Sequence, residues 1–320
     1  SLLKKIKPSL VGFGDGKLRL VTPGVRSKTV VVDIAFPATH GTYGEDGALM
    51  GVFEMAGVPY VGCGQAASAI AMNKILAKWV ADEHGIPIAP FWSFKKTDVD
   101  ENLDGLVKAI SQRFKKMPLF VKPAHLGSSI GITKVDNVKD LANAIEVAAH
   151  YDDEILVEEG INNLIEVTVP IIGNAKPRAA LVERPLLDGE DFFDFDQKYI
   201  GQGKKGGTKT GEQGAQGYSE LPAKLSKDLY MRCEEMALQV YQAIGCEGTA
   251  RVDLLIDKKA DKVYFNEINP LPGSLYAHNW NKAGLSSAKL VEELVNLGLE
   301  RAERKHALAT TFDTNFLSQF

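Results

Sequence analysis

Two short apolar runs, 249–256 and 262–268, most constrain what this 320-residue chain can become, because each carries polar groups at alternate positions. Successive side chains of an extended strand point to opposite faces. Arg251 and Asp253 therefore share one face of the first run, and Glu267 and Asn269 share one face of the second. If the two strands pair, a guanidinium and three oxygen donors converge. Hard oxygen donors of this kind suit Mg²⁺ held jointly with phosphate oxygens. A solvated hairpin face in which Arg251, Asp253 and Glu267 merely pair as ions would look similar. The continuation through 266–272 into a Pro-flanked turn at Gly273 is unusual for such a face and favours the metal.

A second signal is the stretch 121–131 (VKPAHLGSSIG). A strand delivers Lys122, and a loop of small residues then turns back towards a second strand. Gly127, Ser128 and Ser129 let backbone N–H groups approach an anion closely, while Lys122 offers a point charge for phosphate. This is not the Gly-Lys-Ser/Thr loop that opens a helix in P-loop enzymes. An ordinary hairpin with a salt-bridged lysine is the plain alternative. Taken singly, Lys74 in a helix, Glu158 at a strand end and His40 in a Gly-punctuated turn are weaker candidates.

The pattern along the chain predicts strands at 30–35, 119–122, 130–135, 155–158, 165–172 and 178–183, and helices at 65–84, 137–150, 225–244 and 289–305. Strands and helices mix without strict alternation, which predicts an α+β architecture rather than one doubly wound sheet. Residues 9–32 are Gly-rich and show little periodicity. The stretch 200–217 holds seven glycines and three lysines; it reads equally as a surface insertion or as a Gly-hinged lid. Lys plus Arg number 37 against 41 Asp plus Glu, a net charge of −4. That balance argues against a nucleic-acid binder, which normally carries a basic surface. No apolar run approaches the roughly 20 residues of a membrane helix. Cys63, Cys233 and Cys246 lack metal-site or disulfide spacing, which fits buried thiols in a reducing cytoplasm.

The runs 40–47 (HGTYGEDG), 60–74 (YVGCGQAASAIAMNK), 120–135 (FVKPAHLGSSIGITKV), 156–169, 193–199 (FDFDQKY), 248–253 and 266–273 (NEINPLPG) together resemble the D-alanine–D-alanine ligase family, in that family's order. The resemblance implies an ATP-grasp fold. It implies an incomplete-looking N-terminal α/β unit over 1–64, a central subdomain over 65–157, a C-terminal subdomain over 158–306 carrying the mobile loop 200–218, and a tail over 307–320. It further implies that Lys74 and Lys122 hold ATP phosphates under the Gly127–Ser128–Ser129 loop. Glu158 and Ile161 would flank adenine, Glu166 would accept from ribose, and Lys198 would join the nucleotide site. Asp253, Glu267 and Asn269 would carry two Mg²⁺ ions, with Mn²⁺ as a substitute. Arg251 and the Gly273 N–H would stabilise an oxyanion, Ser128 and Tyr199 would lock substrate and loop, and His40 would lie near the first substrate.

The implied reaction forms an acyl phosphate from ATP and one amino acid, then lets the amine of another displace phosphate. The implied substrates are small molecules, D-alanine first among them, and a homodimer is the assembly to test. Three departures keep a different amino- or hydroxy-acid pair open. Nothing in 1–38 matches the family's opening strand, Gly-Gly loop and glutamate, so the chain either starts inside its first domain or recognises its first substrate differently. The stretch after Gly273 is about four residues shorter, leaving Ser274 and His278 as candidates for the family's acceptor-binding serine. The loop 200–217 is longer and richer in Gly. A nucleotide-binding protein without an acceptor site is a third reading, disfavoured by the retained Arg251, Asp253, Glu267 and Asn269.

Overall fold

In the computed structural model, residues 10–14, 16–22, 27–127, 129–186, 212–214 and 217–308 are described. The chain opens with an antiparallel sheet of β1 (Leu10–Gly14), β2 (Lys17–Thr22) and β3 (Lys28–Val32), in that order. This corrects the reading of 9–32 as irregular and of 30–35 as a buried strand. Val30 and Val31 are half exposed, so their alternation never carried a core signal. Only Ala35 continues inward, as a parallel bridge to Tyr60. Helix α1 (Ala48–Met55) then packs Met50 and Phe53 against Leu18, Val58 and Tyr60.

The expected helix 65–84 is two helices, α2 (Gln65–Met72) and α3 (Lys74–Glu83). The apolar pattern runs through the break, which is why periodicity misses it. Asn73 causes it: its backbone is extended, and its Oδ1 accepts from the backbone N–H groups of Ile75 and Leu76. An Asn side chain that competes for backbone donors in this way ends one helix and caps the next.

A four-stranded antiparallel sheet follows, built from β4 (Phe91–Lys95), β5 (Leu119–Pro123), β6 (Thr133–Val135) and β7 (Glu154–Glu159) in the order β4-β7-β5-β6. Helices α4 (Lys96–Arg113) and α5 (Leu141–Tyr151) cover one face, with Ile110, Leu141 and Ile145 fully buried on Leu119, Val121 and Val157. The strand expected at 130–135 is shortened to its last three residues, because residues 129–131 form a turn.

A second four-stranded antiparallel sheet uses β8 (Leu164–Gly173) and β9 (Arg178–Ala179), together with a strand pair near the C-terminus. The strand expected at 178–183 regularises only over those two residues and a bridge from Glu183 to Thr168. Short strands β10 (Arg184–Pro185), β11 (Glu212–Gly214) and β12 (Gly217–Glu220) form a small sheet. Helix α6 (Lys227–Ala243) is capped by Ser226, whose hydroxyl accepts from Leu229 N–H. Strands β13 (Gly248–Asp257) and β14 (Lys262–Asn269) complete the order β14-β13-β8-β9. The core under this sheet joins Val169, Ile171, Leu254 and Phe265 to Cys233 and Val240 of α6 and to Ala67, Ala71, Ala77 and Ala81 of α2 and α3.

Helices α7 (Ala277–Lys282) and α8 (Ser287–His306) close the described fold. From α8, buried Arg301 donates to Tyr60 O at 2.7 Å and to Gly62 O, and lies over the Tyr60 ring. That contact anchors the N-terminal unit to the C-terminal helix. All three cysteines are buried free thiols, as their spacing predicts. Of the stretch 200–218, only 212–214 and 217–218 are described, so the choice between lid and insertion lies outside the described residues. The same holds for the tail beyond residue 308.

Candidate active site

A cleft open to solvent lies between the two four-stranded sheets. Phe120, Lys122 and Glu158 line it from one sheet, and Thr168, Asp253 and Glu267 from the other. Ser129, Ile161 and Glu166 also face it.

The lysine side of the cleft follows from local structure. Lys74 is the first residue of α3, with its N–H bonded to Ala124 O and its Nζ donating to Leu126 O. These two bonds tie a helix N-terminus to the loop after β5. Lys74 Nζ also stands 3.6 Å from Glu267 Oε2. Lys122 projects from β5 and pairs with Glu158 Oε1 on β7, its neighbour strand. The other oxygen, Oε2, lies 2.9 Å from Lys78 Nζ, close enough for an ion pair but not aligned as a hydrogen bond. Burial disfavours the charge on Glu158, yet Lys122 and Lys78 outweigh it and hold the carboxyl down to about 2. Burial pulls Lys74 and Lys78 below the ordinary lysine value, opposed by Glu267 and Glu158 respectively.

The loop over this side turns at Gly127–Ile130 and at Ser129–Ile132. Ser129 has φ 60 and Gly131 φ 71. A Cβ on Gly131 would meet Tyr151 Cδ2 at 2.9 Å, so that position requires glycine. His125 secures the base of the loop: its N–H donates to Asp152 Oδ2 at 2.7 Å, and its ring Nδ1 lies 3.0 Å from Oδ1.

On the opposite wall, β13 and β14 pair antiparallel with Arg251 opposite Asn269 and Asp253 opposite Glu267. The strand pairing expected from the sequence is present, and it brings Asp253 and Glu267 into the cleft together. Arg251 is buried, donates from Nε and Nη2 to the two oxygens of Asp253, and lies 5.4 Å from the Tyr276 ring centre. Burial opposes its charge, but Asp253 dominates and pushes the guanidinium further above its ordinary value. Asn269 Oδ1 accepts from Leu271 N–H at 2.9 Å, which shapes the turn that follows.

That turn brings the N-terminal unit to the strand pair. A Cβ on Gly273 would stand 4.0 Å from His40 Cε1, although the two residues are far apart in sequence. His40 Nδ1 lies 3.1 Å from Glu45 Oε1, and Glu45 is buried and also accepts from Gly41 N–H. After Gly273, the non-glycine residues Ser274, Leu275 and Tyr276 have φ 55, 53 and 51. Three successive left-handed residues are costly, and the run is what turns Tyr276 beneath Arg251.

Comparison with known proteins matches this arrangement. A family model described as "D-ala D-ala ligase C-terminus" matches residues 80–296, and "D-ala D-ala ligase N-terminus" matches 15–63. The chain belongs to the D-alanine–D-alanine ligase family. It is 37% identical over 278 residues to the D-alanine–D-alanine ligase of Acetivibrio thermocellus, covering 86% of this chain and 70% of the relative. Against that of Chlorobaculum tepidum it is 39% identical over 280 residues, covering 86% and 72%. The structure of the Coxiella burnetii D-alanine–D-alanine ligase superposes with TM-score 0.76 at 26% identity, over 95% of this chain and 79% of that one. The VanG D-Ala:D-Ser ligase of Enterococcus faecalis superposes with TM-score 0.72 at 32% identity, over 88% and 80%. The α+β architecture is thus the ATP-grasp fold of the D-alanine–D-alanine ligases.

Of the residues expected to form the ligase site, the structure gathers Lys122, Ser129, Glu158, Ile161, Glu166, Asp253 and Glu267 in one cleft. Lys74 joins through Glu267, Arg251 and Asn269 through the β13–β14 register, and His40 meets Gly273 beside them. Ser128, Lys198 and Tyr199 lie outside the described residues. Sequence reasoning passed over Lys78, Glu45 and Tyr276. Lys78 was findable, since Lys74 and Lys78 are four apart on one helical face. Tyr276 was not, because its position depends on a left-handed turn that no local preference predicts.

Proposed function

We propose that this chain is an ATP- and divalent-metal-dependent ligase that joins two D-alanines in the cytoplasm for a peptidoglycan precursor. The observation that carries the reading is the β13–β14 register, with Arg251 opposite Asn269 and Asp253 opposite Glu267, which puts Asp253 and Glu267 in one cleft with Lys122 and Glu267 within 3.6 Å of Lys74. The donor set fits a hard cation, since the carboxylates of Asp253 and Glu267 share the cleft. We assign Asp253, Glu267 and Asn269 to two Mg²⁺ ions or to Mn²⁺, which supply charge neutralisation of phosphate oxygens.

In this scheme Lys74 and Lys122 hold the phosphates, with Gly127, Ser128 and Ser129 over them. Glu158, Ile161, Glu166 and Lys198 surround the nucleoside. The carboxylate of the first amino acid, near His40, attacks the γ-phosphorus as ADP leaves. The amine of the second attacks the resulting acyl carbon, and phosphate departs. Arg251 keeps its Nη1 group outside the Asp253 fork. With the Gly273 N–H it stabilises the oxyanion of the tetrahedral intermediate, while Ser128 and Tyr199 hold substrate and loop. Such chemistry requires positioning and charge stabilisation rather than a covalent protein nucleophile. We also propose the unit boundaries 1–64, 65–157, 158–306 and 307–320, and a homodimer as the assembly to test.

A second reading, a ligase for another amino- or hydroxy-acid pair, is favoured by the left-handed turn 274–276 on the acceptor side and by the structural likeness to a D-Ala:D-Ser ligase. Phosphate release from ATP and Mg²⁺ across a panel of D- and L-amino acids separates the two. Release with D-alanine alone supports the first; release that needs a different second acid supports the other; no release with any acid sinks both.

A further inference from the structure

Behind the cleft lies one buried charge with no part in the reaction proposed above. Lys78 is 1% exposed, one turn beyond Lys74 on α3. Its Nζ lies 2.9 Å from Glu158 Oε2 without hydrogen-bond alignment, and 5.9 Å from the centre of the Phe91 ring. An ammonium removed from water and given no aligned acceptor is expensive to keep.

Glu158 explains why such a group is useful. Its Oε1 is taken by Lys122 and its Oε2 faces Lys78, so one buried carboxylate serves two lysines. The two lysines differ in access. Lys122 lines the cleft, while Lys78 is sealed behind it. A polyanion entering the cleft can therefore draw Lys122 away from Glu158 but cannot reach Lys78. Without Lys78, that transfer would strand a lone buried carboxylate beside a polyphosphate.

We propose that Lys78 is a positioning residue, a resident counter-charge for Glu158 that lets Lys122 pass from this carboxylate to phosphate and opens Glu158 Oε1 to a donor on the base. The inference rests on reading the cleft as the nucleotide site. It makes the Lys122–Glu158 pair a ligand-free arrangement that nucleotide exchanges for its own contacts. Lys78 touches no reacting atom; it acts through Glu158.

The test is a double-mutant cycle on Mg²⁺–ADP affinity, read by calorimetry, with KM and kcat for ATP measured alongside. Lys78→Met should weaken nucleotide binding about tenfold or more and raise KM well beyond its effect on kcat, while Lys78→Arg restores most of the loss. In a Glu158→Gln background, where no carboxylate needs balancing, Lys78→Met should change affinity by less than about threefold. That background also keeps the question answerable if Lys78→Met alone does not fold. An equal loss in both backgrounds, or wild-type affinity in Lys78→Met, overturns the proposal. Failure of the wild-type protein to bind Mg²⁺–ADP would instead defeat the nucleotide reading beneath it.

Discussion

Arg251 grips Asp253 two residues further along its own strand, with Nε to Oδ1 at 2.8 Å and Nη2 to Oδ2 at 2.6 Å. A guanidinium and a carboxylate in this fork are rigid as well as strongly bound. The pair thus aims a proposed oxyanion donor and a proposed metal ligand with one contact, and disturbing either partner disturbs both.

Asp253→Asn should therefore do two things. It removes a charged oxygen donor and loosens Arg251. Half-saturation of turnover by Mg²⁺ should move upward by about 10–100-fold, with partial recovery at high metal. A metal titration with the variant's fold checked by circular dichroism decides it. An unchanged half-saturating concentration would remove Asp253 from the metal site.

Arg251→Lys keeps the charge but loses the planar fork. We expect kcat to fall about 100-fold, with KM for ATP changed less than about threefold. A variant in which KM rises and kcat holds would make Arg251 a nucleotide-binding residue instead.

Acid should act through Glu158. Its folded carboxyl is held near 2, below the ordinary 4.5, so its contribution to stability is complete above 4.5 and is lost as pH falls towards 2. The melting-temperature gap between wild type and Glu158→Gln should stay flat above about pH 5 and shrink steadily below it. A gap that is constant down to about pH 3 would mean the Lys78 and Lys122 contacts are not held by charge.

Gly273→Ala separates fold from chemistry. The new methyl would meet His40 Cε1 at 4.0 Å, an ordinary contact, so stability should change by less than about 0.5 kcal/mol. The methyl nevertheless enters the gap between His40 and the strand pair, and turnover should drop about tenfold or more through displaced substrate. Equal thermal melts with undiminished turnover would place the first substrate elsewhere.

Much of this site was legible in the chain itself. Strict alternation around Arg251, Asp253, Glu267 and Asn269 determines which side chains share a face, because the strand period is two whatever surrounds it. Lys122 at a strand end before a Gly-Ser loop, and the ordered family motifs, likewise needed no coordinates. Tertiary structure decided what sequence patterns cannot encode. The break at Asn73 arose because one side chain outcompetes a helical pattern that runs straight through it. The β1-β2-β3 sheet leaves Val11, Phe13, Leu20, Val30 and Val31 exposed and buries only Leu18 of its described side chains in the core, too little for a burial pattern to be read. The meetings of Lys78 with Glu158 and of His40 with Gly273 join residues from separate elements. Local periodicity reports which way a side chain points on its own element. Which groups it then faces depends on how whole sheets and helices pack, and that is settled by burial summed over the fold.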